Sequence, residues 1–90
     1  MLKIRYTNKF KKDFKSISKR NYDTKKLENV VKLISQQVTL PEKYRDHFLT
    51  GNWKGFRECH IEPDWLLIYK IEHDILTLTL TRTGTHSDLF

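Results

Sequence analysis

The chain is poor in cysteine, in acidic residues relative to basic ones, and in long apolar runs, and each shortage closes off a class of protein. Its single cysteine, Cys59, cannot form an internal disulfide, which agrees with a reducing compartment. As a strand residue it is better read as a small buried filler than as a nucleophile. The longest apolar run is "WLLIY", Trp65 to Tyr69, far below the roughly 20 residues of a membrane helix, and "MLKIRY" is too short for the apolar region of a signal peptide. A cytoplasmic protein with no membrane partner is the expectation. Metal-ligand pairs at short spacing, H-x-H or C-x-x-C, are missing too, so a zinc site could only be assembled through the fold. Neither a metal nor any other cofactor is expected.

What is present is charge of one sign. The chain carries 17 Lys+Arg against 11 Asp+Glu, a net +6 in 90 residues, with a pI near 9.6. Such an excess on a small body favours an anionic partner, nucleic acid first. With 12% aromatic and 38% hydrophobic residues, the chain is too apolar for a disordered basic tail. Its length suits one domain, residues 1–90, with one modest core.

The pattern divides into a helical half and a sheet half, an α+β arrangement. "LKIRY" at 2–6 reads as a strand. Thr7 or Asn8 caps a helix with Phe10, Phe14 and Ile17 on one face and Lys11, Lys12, Lys15 and Lys19 opposite. Asp23 or Thr24 starts a second helix, where Leu27, Val30, Val31, Ile34 and Val38 keep the spacing of a buried stripe and Pro41 ends it. The segment "LPEKYRDHFLTGN" connects to three strand-like runs, "WKGFRECHI", "WLLIYKI" and "ILTLTLTR". Their short links, "EPD" and "EHD", imply an antiparallel meander with the helices on one face. Leu76, Leu78 and Leu80 share one side of the last strand with Arg82, unless a bulge reverses that parity.

The four histidines, at 47, 60, 73 and 86, recur at an interval whose surroundings share nothing else, so the interval is coincidence. His73 reads as a solvated turn residue. Metal-free RNA cleavage needs a base for the 2'-hydroxyl, an acid for the leaving 5'-oxygen, and cations on the phosphate. Histidine serves either proton transfer near neutrality. Arginine suits the phosphate, and aromatic rings stack on splayed bases. Residues 46–90 hold all these types, which fits a nuclease and equally a non-catalytic RNA- or DNA-binding module.

The stretch "YRDHFLTGNWKGFRECHIEPDWLLIYKI" and the segment "RTGTHSDLF" resemble the YafQ branch of the RelE toxin superfamily, the toxins of bacterial type II toxin-antitoxin pairs. The matching elements are D-H-x-L-x-G-x-W-K-G-(F/Y)-R-(D/E)-x-H-(I/V)-x-P-D-W-(I/L)-L-(I/V)-Y and R-x-G-(S/T)-H-x-x-L-F, together about half the chain. The resemblance implies a small RelE-like fold: an N-terminal strand and two helices packed on an antiparallel sheet completed by a C-terminal meander. It also implies a metal-independent endoribonuclease. Such an enzyme enters the ribosomal A site and cuts mRNA by attack of the 2'-hydroxyl, leaving a 2',3'-cyclic phosphate and a 5'-hydroxyl. Expected partners are the ribosome with its A-site mRNA and a cognate acidic antitoxin protein.

Seven residues match the family's functional positions: His47, His60, Asp64, Trp65, Arg82, His86 and Phe90. On this reading His86 is the general acid, and Asp64 the base with His60 as alternative base or phosphate ligand. Arg82 neutralises the transition-state phosphate, His47 holds the mRNA backbone, and Trp65 and Phe90 position bases or wall the site. Plainer readings stand beside these. Trp65 at the head of an apolar strand fits core packing, Asp64 after Pro63 is an ordinary turn former, and His47 a surface loop residue. Trp53, Phe56 and Tyr69 read as core residues on strands. The helix lysines and Arg20 form either a solvated face or a sequence-independent attraction for ribosomal RNA. The "SDLF" segment should fold back on the domain, anchored by Leu89. A non-catalytic RelE-fold toxin of the gyrase-poison type is the alternative, and such toxins lack this set of histidines.

Overall fold

A computed structural model describes residues 1–90. Helix α1, Asn8–Lys19, begins where Thr7 is extended and its hydroxyl accepts the Phe10 N–H at 3.0 Å, satisfying one of the donors a helix leaves open at its start. The same hydroxyl donates to the Thr81 carbonyl at 2.7 Å, fixing the helix start to the sheet. Helix α2, Thr24–Ser35, is capped by Asp23, which accepts from the Lys25 N–H at 3.1 Å. Phe10 and Ile17 of α1 and Leu27, Val30, Val31 and Ile34 of α2 are buried, with Phe14 packed partly against them. The apolar stripe ends earlier than its spacing suggests. Gln37 turns left-handed at φ +58°, and Val38 is left 48% exposed. Pro41 precedes a 3-10 turn, Glu42–Tyr44, and does not end the helix.

Strands β1 (Lys3–Tyr6), β2 (His47–Phe48), β3 (Arg57–Glu62), β4 (Trp65–Glu72) and β5 (Thr77–Gly84) form one sheet in the order β1-β5-β4-β3-β2. The β3-β4-β5 meander is antiparallel, and the α+β layout is that of the RelE-like fold. Two pairings lie beyond the sequence reading. Strand β1 joins the sheet parallel to β5, Lys3 opposite Thr77 and Tyr6 opposite Leu80, and the connecting segment supplies β2 beside β3.

The strand expected from Trp53 starts only at Arg57. Gly51 and Gly55 take φ of +64° and +95°, values open to glycine, and the chain makes a 3-10 turn over Gly51–Trp53. Of the three motif aromatics, Tyr69 alone is a core strand residue. Trp53 and Phe56 are half-buried off the strand and meet edge-on at 5.5 Å.

Alternation assigns the faces. Cys59, Ile61, Trp65, Leu67, Tyr69, Leu78 and Leu80 join the helix residues in one core, while Leu66 and Ile68 are buried outside that cluster, so β4 is covered on both sides. In β5 a bulge intervenes: Tyr69 pairs with Leu80, but Ile68 pairs with Arg82. Thr81 is the extra residue, and it turns Arg82 off the leucine face.

Candidate active site

Three elements bring the site together. The β3-β4 hairpin pairs Glu62 with Trp65, leaving Pro63 and Asp64 as a two-residue turn that holds Asp64 in solvent. Beyond β5 the chain turns into a short helix, α3, His86–Leu89. Gly84 makes that turn possible, because a Cβ there would lie 2.8 Å from Asp88 Oδ2 and 2.9 Å from Asp88 Cβ. The Thr85 hydroxyl accepts the Asp88 N–H and the Asp88 carboxylate accepts the Thr85 N–H, a reciprocal capping box. Asp88 Oδ2 also meets Arg20 Nη2 at 2.8 Å, tying α3 to the end of α1. Both hydrogen bonds hold the Asp88 carboxyl below the usual range, that from Arg20 most.

His86 therefore arrives at the start of α3 facing Asp64. Its backbone N–H donates to Asp64 Oδ1 at 3.0 Å and its Nδ1 lies 2.7 Å from the same oxygen. The backbone bond, then the ring bond, holds the Asp64 carboxyl below the ordinary aspartate value. An ionised carboxylate only accepts, so Nδ1 carries the proton and Nε2 points away from Asp64.

His60, on β3, lies beside this pair, its ring centroid 5.8 Å from that of His86. Its Nδ1 donates to the Pro63 carbonyl at 3.2 Å, so the neutral ring keeps a lone pair on Nε2. His47, on β2, is next in line, 6.4 Å from His60 by centroids, with Nδ1 2.6 Å from the Arg45 carbonyl. Glu58 lies between them, buried, with Oε1 3.5 Å from His47 Nε2 and 3.8 Å from His60 Nε2. The chain entering β2 is anchored by Asp46, which accepts from Arg57 Nη2 at 2.7 Å and from the Tyr69 hydroxyl at 2.5 Å. Burial, then the Asp46 bond, pushes the Tyr69 phenol up, so it serves as a fixed donor.

The structure thus gathers His47, His60, Asp64 and His86. Arg82 is tied down: Nε and Nη2 donate to the two oxygens of Asp13 on α1 at 2.7 and 3.1 Å, and the Asp13 bond raises its pKa. Phe90 is 61% exposed, its ring edge-on to Trp53 at 6.3 Å, and Leu89 is half-buried. Of the two readings of Trp65, its surroundings favour core packing. It is 1% exposed, packs edge-on against Tyr22 at 5.0 Å and donates from Nε1 to the Thr83 hydroxyl at 3.0 Å. An RNA base cannot reach it, because the first strand position after the turn points to the helix face. His73 is an exposed turn residue, and burial pushes the Cys59 thiol up, away from the reactive thiolate.

Sequence reasoning missed Glu58, Asp13, Asp46 and Asp88. Glu58 was findable, since it precedes His60 by two positions on one strand and so shares its face. The T-x-x-D spacing of Thr85 and Asp88 is a helix-start signal. Asp46 opens the D-H-x-L motif directly before His47, whereas Asp13 carries no local mark.

The chain matches, over residues 2–90, the family described as bacterial toxin of type II toxin-antitoxin system, YafQ. It belongs to the YafQ family. It is 46% identical over 88 residues to the mRNA interferase toxin YafQ of Escherichia coli strain K12, covering 97% of this chain and 94% of that protein. Among solved structures it resembles the metal-bound toxin from Helicobacter pylori, with a TM-score of 0.95 and 47% identity over 100% of both chains. It also resembles a chain of the E. coli DinJ-YafQ complex, with a TM-score of 0.90 and 44% identity over 100% of this chain and 99% of that one. In the present chain no three His, Cys, Asp or Glu side chains gather into a metal-holding group, and no helix is long and apolar enough to cross a membrane.

Proposed function

We propose that this YafQ-family toxin is an endoribonuclease that cuts mRNA in the ribosomal A site. The observation that carries the reading is the Asp64–His86 pair, with His60 5.8 Å from the His86 ring. Two imidazoles that each present Nε2 can serve the two ends of one phosphodiester. His60 Nε2 takes the 2'-hydroxyl proton as the new 2'-oxygen–phosphorus bond forms. The phosphorus–5'-oxygen bond breaks, and His86 Nε2 gives its proton to the leaving oxygen. The products are a 2',3'-cyclic phosphate and a 5'-hydroxyl. Asp64, with Oδ1 occupied by two hydrogen bonds and its basicity lowered, is the weaker candidate for the base. Its part is to orient the His86 ring and offset the positive charge of the doubly protonated form.

Arg82 keeps three of its five N–H donors free of Asp13, and these neutralise the phosphate. His47 holds the RNA backbone, and exposed Phe90 offers a base a ring to stack on. The ribosome supplies the RNA geometry for in-line attack, which implies a toxin that acts in the cytoplasm. An acidic antitoxin partner is supported by the likeness to the DinJ-YafQ complex. After brief induction, new mRNA 5' ends should appear within translated regions, with 5'-hydroxyls and matching 2',3'-cyclic phosphates. Growth arrest without new mRNA ends would contradict the proposal.

A further inference from the structure

A cleft of about 740 Å³ opens beside His60, walled by Lys26 and Asn29 of α2, Lys43 of the 3-10 turn and Arg45 just after it, and Glu62 of the hairpin. Its volume falls in the roughly 300–1,000 Å³ range of ligand sites. Among these lining residues three are cations and one, Glu62, is a carboxylate. Glu62 lies 3.6 Å from Lys26, both about half exposed, a contact weak enough for a competing anion to displace. Lys43 is partly held in place, its ammonium 5.0 Å from the centroid of the half-buried Tyr44 ring. His60 belongs to both the cleft and the histidine cluster, so a chain bound at one continues into the other.

We infer that this cleft is the track for the RNA strand adjoining the cut, with Lys26, Lys43 and Arg45 on its phosphates and Asn29 on a sugar or base edge. The inference deepens the nuclease reading and rests on it. The other large groove has the wrong chemistry for a polyanion. It is lined by Met1, Ile4, Tyr6, Phe10, Phe14 and Val31 among others, mostly apolar, and phosphates gain nothing there. An acidic protein segment would suit the charge of the cleft, but the shared wall with His60 favours the substrate.

The test measures binding separately from cleavage. In a His86→Gln background, which leaves RNA intact, the affinity of a short fluorescein-labelled single-stranded RNA is followed by anisotropy over a range of salt. Lys26→Glu with Lys43→Glu is compared with Lys3→Glu and Arg5→Glu, an equal charge change at exposed positions of β1, the opposite edge of the sheet. The cleft pair should weaken binding at least about tenfold and flatten the slope of log K against log salt by about 0.7 for each phosphate no longer neutralised. The control pair should change affinity less than about threefold. Equal losses from the two pairs, no loss from the cleft pair, or no saturable binding in the background protein would each overturn the assignment. So would a cleft pair that spares RNA and weakens only the complex with an acidic antitoxin. Cleavage of ribosome-bound mRNA by the parent is followed alongside: lysine-dependent binding without cleavage would fault the nuclease reading and leave the cleft standing.

Discussion

The two faces of the sheet are built from alternate residues of the same strands, yet they do different work. On the helix face, Cys59, Ile61, Trp65, Leu67 and Tyr69 meet the stripes of α1 and α2 in one core. On the other, Glu58 and His60 of β3 stand beside His47 of β2, opposite Ile68 and Leu66 of β4. One residue along the chain separates a packing role from a chemical one, as between Asp64, exposed in its turn, and Trp65, 1% exposed. Substitutions one position apart should therefore fail in different ways, and this separation can be broken experimentally.

The largest effect belongs to the helix face. Trp65→Ala removes a buried ring and should cost about 3–5 kcal/mol of stability, seen in chemical denaturation. Below its melting temperature the folded protein should cut near the parental rate. A collapse of cleavage without loss of stability would return Trp65 to the site. Asp64→Asn, its neighbour, should show the reverse: a loss of at least about a hundredfold in cleavage rate, because the ring of His86 loses its orienting carboxylate, with only a small drop in the unfolding midpoint, since the carboxylate is exposed.

Smaller effects sharpen the comparison at the tail. Phe90→Ala should slow cleavage about tenfold, about 1.4 kcal/mol in the barrier, with little change in melting, since the ring is largely exposed. Earlier melting at an unchanged rate would make Phe90 a plug. Asp88→Asn breaks the exposed link to Arg20, worth about 0–1 kcal/mol, and should slow cleavage only several-fold by loosening α3. The same links predict an acid limit. Asp64 and Asp88 both have depressed pKa values, so their contribution is complete above about pH 4, the ordinary aspartate range, and is lost as pH falls through the depressed values. The amide signals of Thr85 and Asp88, which form the capping box, should shift in that acid range.

What was legible followed from local rules. Thr7 and Asp23 cap helices as their side chains suggest, and the spacing of Phe10, Phe14 and Ile17 marks one face. Alternation in "LTLTLT" identified a half-buried strand through Leu78 and Leu80, whereas Leu76, expected on the same side, turns left-handed at φ +48° before β5 begins and is 59% exposed. What was not legible depended on backbone turns or on residues far apart in sequence. Val38 kept the helical spacing, but the left-handed Gln37 ended the stripe. The Thr81 bulge reversed the side of Arg82, and its partner Asp13 lies 69 residues away. The parallel pairing of β1 with β5 leaves no trace in either strand. Among the candidate site residues, the motif located His47, His60, Asp64 and His86, which the fold brings together. It also marked Trp65, because a motif records that a position is needed without recording whether for packing or for chemistry.

The most direct test joins both halves of the comparison in one protein. His86→Gln is purified, its unfolding midpoint is measured, and its single-turnover cleavage of ribosome-bound mRNA is compared with the parent at the same temperature. Loss of the proton donor should lower the rate by about a hundredfold to ten-thousandfold, with the midpoint unchanged because His86 is exposed. A folded variant that cuts at the parental rate, or one whose loss of activity merely tracks a loss of folded protein, would contradict the account.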